Sequence, residues 1–581
     1  MGVNRLLKAG FDRLGYTYEY LKDIHTDLYG GTYLFKDEDR IVTALKQLHD
    51  TGRKIAIWPD FDMDGISAGG VLYGGLSLMG FNAVLLAPST RAGYGMQFAD
   101  ADRLLSEHPD VAAVITCDVG IAAWDVIGYL QSLDVDVYVT DHHPEKSRSS
   151  ADAVMDPSRT DDPSPFKGVC GAFVAWHLVT LYARLACTPD VQALAGKLVL
   201  LAGLGSVGDN MPVTHDTRSV IQASVAEMNA LLDAETLEDY FHADPGQLPD
   251  AYVAPFDNLR ALHFQLLHMG KMPEGDVDDV TYGFRYAPMF NCFKRLGEDM
   301  TKLYRLLYTR YEWNSEERVA LCAELSAMNE YRKKLSLELF GQMSDSEQPF
   351  APYVYILDAF AGMLGPLASR MMERTGLPCV VVRPDGDGFK GSGRTPEWFD
   401  GTGVFDAGGC SSDGHAHAFG IKACGSFALE GLRDRMVAAS RSRPEAGTAD
   451  LSRCVRICIN GHAPGAKYDL SISRVDDHDI LMDYAAGLQK WRPFGEGLEE
   501  PLFLLSFAKS DIGGVRTMGV DQSHLRLHLA HNLTVVWFHG AGFLKDTKDD
   551  ADGQVYTLAG RPGLNVFNGS TSLQFMADGL V

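Results

Sequence analysis

Three aspartates stand at alternate positions in Trp58-Pro-Asp-Phe-Asp-Met-Asp-Gly65, and they are the residues best suited to chemistry. Carboxylates this close repel one another, and burial raises the cost of keeping them charged. A divalent cation removes that penalty, and oxygen ligands suit hard ions such as Mg²⁺ or Mn²⁺. Read alone, Asp60, Asp62 and Asp64 also fit a solvated acidic turn. Further groups of ligand type follow at Asp118, at Asp141-His142-His143 and at Asp209. A histidine pair alone is usually structural or surface, and Gly-Asp209 alone is an ordinary turn.

The elements around these residues decide between the readings. Ile55–Trp58 reads as a short buried strand, and Gly65 permits a tight turn into a helix over Ile66–Met79. Ala112–Cys117 is a second apolar run and ends in Asp118. Val135–Thr140 is a third and ends in Asp141-His142-His143. In an open parallel sheet the strand C-terminal ends share one edge, where sites form. Three strands with the same kind of ending therefore point to one metal site. Asp209 follows the apolar run Leu198–Leu204 and can complete a second metal position. Cys117 reads as a packed small residue, not a ligand.

The whole chain bounds the answer. Its 581 residues imply several domains with ample core. A net charge of −25 excludes a generic DNA-coating protein and confines any nucleic-acid path to a local groove. Ten cysteines without zinc spacing imply reduced thiols and a cytoplasmic setting. No apolar run approaches the ~20 residues of a membrane span. Residues 51–210 alternate strand and helix, an α/β pattern. Residues 216–345 are mostly helical, with Tyr304, Leu307, Tyr308 and Tyr311 at core-packing spacing. Asp345–Pro352 is a polar break, and Arg441–Gly447 reads as a linker before many short strands, which suggest a small barrel.

Asp-Phe-Asp-Met-Asp-Gly, Asp118, Asp-His-His and Asp209 resemble, in that order, the motifs of the DHH phosphoesterase superfamily. Within it the chain resembles the RecJ-like single-stranded-DNA-specific exonucleases. Pro88-Ser-Thr-Arg-Ala-Gly-Tyr-Gly95 is similar to their Arg and Gly-Tyr-Gly segment, and Phe166–Leu178 to their Gly-rich helix start. Pro288–Arg295 is similar to Pro-Arg-x-Asn-Ala-x-Gly-Arg, but departs from it at Met289 and Lys294. Glu324–Lys334 resembles their connecting helix. Gly391-Ser-Gly-Arg394 and Asp413-Gly-His-Ala-His-Ala-Phe-Gly420 resemble the two signatures of a DHHA1 domain, with departures at Pro366 and Asp413. Pro493–Phe503 resembles the entry to an OB-like domain, in which Trp491, Phe494 and Trp537 are candidate stacking platforms, with core packing the more ordinary role for any one of them.

The resemblance implies an α/β fold in four parts: a DHH catalytic domain with a parallel sheet (1–215), a helical region with a connecting helix (216–345), a DHHA1 domain (346–445) and an OB-like β-barrel (446–581). It implies two divalent cations, Mn²⁺ before Mg²⁺. Asp60, Asp62 and Asp118 would hold one, and Asp64, Asp118, His142 and Asp209 the other, with Asp118 bridging. Asp141 would orient the histidines and His143 would face the phosphate. Arg91, Gly393, Arg394, Gly414 and His415 would bind substrate. The implied activity is 5′-to-3′ hydrolysis of single-stranded DNA to 5′-mononucleotides, in DNA repair and recombination. A monomer is expected, with a single-strand-binding protein or helicase as partner. Competing readings are a DHH phosphodiesterase for short oligonucleotides or cyclic dinucleotides, an inorganic pyrophosphatase, and a non-catalytic replication scaffold. The helical connector, the barrel and the complete ligand set argue against them.

Overall fold

The computed structural model describes residues 5–25, 34–89, 95–145, 147–312, 315–345, 348–414, 417–442, 451–462, 468–473, 477–519, 522–538, 540–548, 550–567 and 570–581. Arg91 and His415 lie outside the described residues.

The first sheet is wholly parallel. Its strands are β1 (Lys54–Pro59), β2 (Ala83–Leu85), β3 (Val111–Cys117), β4 (Asp136–Thr140) and β5 (Ala153–Met155), in the order β2-β1-β3-β4-β5. Burial of β1 and β3 on both faces explains why they read as continuous apolar runs.

The chain opens with helix α1 (Arg5–Leu14). Helix α2 (Met63–Leu78) starts at the aspartate loop, three residues earlier than the Ile66 start expected from the sequence, because Asp62 caps it. Helix α3 (Gly171–Ala186) and helix α4 (Val199–Gly208) pack against α2 in the main core. Pro189–Gly208 has the length and mean hydropathy, 1.5, of a membrane-crossing segment, contrary to the sequence expectation. Much of its apolar surface is used inside the protein, where Leu194, Leu198, Leu200 and Leu204 join the core.

Helix α5 (His215–Asp233), helix α6 (Asp250–His268), the one-turn helix α7 (Cys292–Leu296) and helix α8 (Thr301–Tyr308) continue the helical region. Helix α9 (Glu316–Asp345) has 30 residues and runs about 45 Å. Its Cys322 and Leu325 belong to the first core, and its Leu339 and Met343 to that of the next unit.

That unit has a five-stranded sheet, ordered β6-β7-β8-β10-β9, of β6 (Val354–Ile356), β7 (Cys379–Asp385), β8 (Gly388–Arg394), β9 (Cys410–Gly414) and β10 (Ala418–Ala423). Helix α10 (Ala361–Thr375) covers it.

The last unit is one eight-stranded mixed sheet, ordered β12-β11-β13-β17-β18-β16-β15-β14. Its strands are β11 (Val455–Ile459), β12 (Leu470–Ile472), β13 (Phe503–Ala508), β14 (Ile512–Met518), β15 (His524–Leu529), β16 (Thr534–Trp537), β17 (Val555–Phe567) and β18 (Ser570–Leu580). Its core includes Leu6, Leu7 and Phe11 from α1, and Val213 and Ile221 from the helical region. Arg218 of α5 is fully buried and donates to the Pro493 and Trp491 carbonyls at 2.7 and 2.6 Å. The beginning, middle and end of the chain therefore share one interface.

Candidate metal centre

Register builds the site. Pro59 pairs with Cys117, Cys117 with Thr140, and Thr140 with Met155. The next residues, Asp60, Asp118, Asp141 and Asp156, stand in one row along the C-terminal edge. A ladder of backbone bonds holds the row: Asp60 N–H donates to Cys117 O, Asp118 N–H to Thr140 O, and Asp141 N–H to Met155 O, at 3.1, 3.0 and 3.0 Å. Asp156 was not singled out from the sequence, because the apolar triplet Ala153–Met155 before it is too short to read as a strand.

The remaining carboxylates come from the α2 loop. Asp62 accepts N–H bonds from Asp64 and Gly65 at 3.1 and 3.2 Å, an N-cap that starts the helix. Gly65 is required here, because a Cβ would lie 2.5 Å from the Asp60 carbonyl oxygen. Asp64 points across to α3 and accepts the first N–H groups of that helix, Gly171 at 2.7 Å and Ala172 at 3.0 Å. Gly171 fits only without a side chain, since a Cβ would lie 2.5 Å from the Asp118 Cβ. Asp209 caps the C-terminal end of α4. The Tyr304 and Tyr308 hydroxyls of α8 donate to the Asp60 and Ile66 carbonyls, so the aromatic spacing read as core packing also braces the loop.

The histidines close the group. His142 Nε2 lies 3.2 Å from Asp118 Oδ1, 3.5 Å from Asp209 Oδ2 and 3.9 Å from Asp64 Oδ2. Asp141 Oδ1 accepts the His142 N–H at 2.7 Å and faces His143 Nδ1 at 2.8 Å, and Oδ2 accepts the Ile121 N–H at 3.0 Å. Asp141 is thus spent on positioning, which leaves His143 Nε2 turned from it.

Ligand atoms of Asp60, Asp62 and Asp118 lie within 4.8 Å of one another, as do those of Asp64, His142 and Asp209. Among the described residues, Asp60 Oδ2, Asp118 Oδ1 and His142 Nε2 are buried and make no aligned hydrogen bond, although the last two lie 3.2 Å apart. Buried polar atoms are almost always satisfied, so three orphans in one cluster fit a metal-ligand set.

The electrostatics agree. Burial, reinforced by Asp64, Asp62 and Asp60, pushes the Asp118 carboxyl well up. Burial lifts Asp60 to about 7 against the opposing pull of Lys294, and lifts Asp209 to about 8 with Asp64 and Asp62 adding to it. A divalent ion reverses that tendency. Burial holds His142 below its usual value, so it is neutral and able to ligate. For His143, burial pulls downward but the Asp141 bond outweighs it and raises the group to about 9. His143 is thus a cationic donor. Asp156 is fully buried, and burial with Asp141 nearby lifts it to about 8. Its Oδ1 accepts the Ser158 N–H at 2.7 Å, and Ser158 Oγ donates to the His142 carbonyl at 2.6 Å.

The expected substrate residues are placed less uniformly. Gly391–Arg394 is a strand inside the second sheet, not a loop. Gly393 lies under the Phe419 ring, where a Cβ would meet the ring at 2.2 Å, so packing accounts for this glycine. Gly414 pairs with Phe419 on the neighbouring strand. Arg394 donates to the Gly393 carbonyl at 2.8 Å and lies against Gly365 of α10. No carboxylate pairs with it among the described residues. Gly362, one turn earlier in α10, packs on the Lys294–Arg295 backbone of α7, where a Cβ would lie 2.4 Å from the Arg295 Cα. One helix therefore links the second sheet to the metal loop. Trp491, Phe494 and Trp537 are partly buried against the last core, with Trp491 edge-on to Phe11 at 5.0 Å, which makes them packing residues more than open platforms.

Residues 54–203 match the N-terminal domain of the DHH family, and residues 473–579 the RecJ OB domain. The chain is 25% identical to a single-stranded-DNA-specific exonuclease RecJ of Bacillus subtilis, over 98% of this chain and 66% of that one. The same-named protein of Haemophilus influenzae is 22% identical, over 93% and 90%. That of Thermus thermophilus is 26% identical, over 86% and 64%. The chain thus spans about two thirds of the Bacillus and Thermus relatives. The crystal structure of RecJ in complex with Mn²⁺ from Thermus thermophilus superposes with a TM-score of 0.70 at 22% identity, over 100% of this chain and 76% of that one. The likeness shows the fold.

Proposed function

We propose that this RecJ-like DHH protein is a divalent-cation-dependent exonuclease that hydrolyses single-stranded DNA from its 5′ end to 5′-mononucleotides, in repair and recombination. The observation that carries the reading is the in-register row of aspartates, with three orphaned ligand atoms, on Asp60, Asp118 and His142. Asp60, Asp62 and Asp118 would hold one cation, and Asp64, Asp118, His142 and Asp209 the other. Mixed carboxylate and imidazole ligands favour Mn²⁺, with Mg²⁺ as the alternative. When bound, such a pair supplies an activated water and charge stabilisation for an in-line displacement. Asp141 fixes the His143 ring by its Nδ1, and Nε2 donates to a non-bridging phosphate oxygen. Burial of the carboxylates on the sheet edge restricts bulk water at the reacting phosphate. Arg394, with Arg91 and His415, would hold the 5′-terminal phosphate.

The C-terminal sheet supports a single-stranded substrate, because OB-type domains grip single strands through a groove and stacking. Ten free cysteines fit a reducing, cytoplasmic setting. A monomer with a single-strand-binding protein or helicase partner completes the reading. The test is digestion of 5′-labelled and 3′-labelled single strands with Mn²⁺ and with chelator. Release of labelled mononucleotide from the 5′-labelled strand first, and none with chelator, is expected. Attack from the 3′ end overturns the polarity.

A further inference from the structure

Lys294 stands in the Asp60 half of the metal centre. Two contacts fix the backbone that carries it. Asn291 Oδ1 accepts the Met63 N–H at 3.0 Å, which ties the start of α7 to the aspartate loop. Gly362 of α10 presses on the other side of α7. From this position Nζ reaches 3.3 Å from Asp62 Oδ2 and 3.9 Å from Asp60 Oδ2. It also lies over the Phe61 ring, 4.7 Å from its centre, an arrangement that attracts a cation. Two carboxylates and a ring face thus hold one ammonium where a metal ligand set would close.

The other half of the centre has no such amine. Among the described residues, Asp64 is met by the N–H groups of Gly171 and Ala172 and by His142, and Asp209 by His142. His143 Nδ1 stands 3.9 Å from Asp118, the ligand common to both positions, and so weighs on both. The two halves therefore differ in the ammonium held directly against Asp62.

We propose that Lys294 is a tethered cation that competes with the divalent ion for the Asp60–Asp62 seat, so that the two metal positions of this protein differ in affinity. The Asp64–His142–Asp209 position fills first. The Asp60–Asp62 position fills only when the ammonium swings aside, which its partly exposed side chain allows. Lys294 acts on the reaction through the metal seat and is a positioning residue. The proposal rests on the two-metal reading above.

The test titrates the full-length, metal-stripped protein with Mn²⁺ and counts bound ions by electron paramagnetic resonance of the free ion. Wild type, Lys294→Gly and Lys294→Met are compared, with melting curves to show that each is folded. Methionine keeps the bulk of the stem if glycine loosens α7. Wild type is expected to show one tight and one weak ion. Both variants should tighten the weak one by at least about tenfold, since a unit charge at this distance is worth that much even when screened. The tight ion should change by less than about twofold. One ion in wild type and two in the variants supports the proposal in its extreme form. Two equal ions in wild type, or a weak ion unchanged in the folded variants, overturns it and leaves the two-metal reading standing. No bound Mn²⁺ in any of the three proteins overturns that reading and the proposal together.

Discussion

Asp118 has a left-handed backbone, with φ of 61°. Asparagine tolerates that region and alanine does so less well. Asp118→Asn is therefore the clean removal of the charge between the two metal positions. It should lose at least one bound Mn²⁺ and lower hydrolysis by on the order of 10²-fold or more. Near-normal turnover with unchanged metal content would remove Asp118 from both positions. His143→Ala should behave differently. Its ring bonds Asp141, not a proposed ion, so turnover should drop roughly 10²–10³-fold while bound metal stays nearly constant. An emptied site in metal analysis would instead make His143 a ligand. Arg394 has no carboxylate partner among the described residues and lies against α10. A terminal phosphate carries more charge than an internal diester, so a guanidinium favours it more strongly. Arg394→Ala should bring kcat/KM for 5′-phosphorylated and 5′-hydroxyl strands closer together. Equal loss on both would mean a grip on the backbone alone.

At the scale of elements, α10 is the bridge between the phosphate-binding candidate and the metal loop. Gly362 lets it approach α7 to within backbone contact. Gly362→Ala forces a methyl into that contact and should cost about 1–3 kcal/mol by overpacking. Activity should fall more than the loss of folded protein explains, because α7 carries Asn291 and Lys294. Melting temperature and specific activity measured on the same sample separate the two effects, and a fall in stability alone would leave α10 with no part in aligning the site. The strands that carry Asp60, Asp118 and Asp141 were legible in the sequence, since each ends a run apolar enough to be buried on both faces. Asp156 was not, because its strand has three residues and no periodicity to read. The Leu198–Leu204 run could not be assigned between strand and helix by pattern alone, and it is a helix. Gly391–Arg394 has no apolar periodicity to mark it as a strand, yet it is one. Its glycines make room for the Val381–Val382 backbone and the Phe419 ring, a contact set by neighbouring strands and not by local pattern. Lys294 beside Asp62 and Asp60 is a long-range contact of the same kind.

Over the whole molecule, the parts are not separable modules. A chain ending at Ser440 loses the last sheet, and with it the carbonyl acceptors of buried Arg218 and the core that holds Val213 and Ile221. The shortened protein should melt at a lower temperature, hydrolyse very short oligonucleotides, and bind long single strands at least about tenfold more weakly, as removal of several stacked bases implies. Unchanged long-strand affinity in a folded truncation would take the last sheet out of the DNA path.

The docking of α1 on that same sheet has a consequence in time. Leu6, Leu7 and Phe11 are translated long before the strands they pack against, which begin at Val455. At roughly 5–20 residues per second the nascent chain waits about 20–90 s before the first of those strands is made. Until then the helix is a natural client for chaperones, and it can dock on the sheet only after those strands have been made.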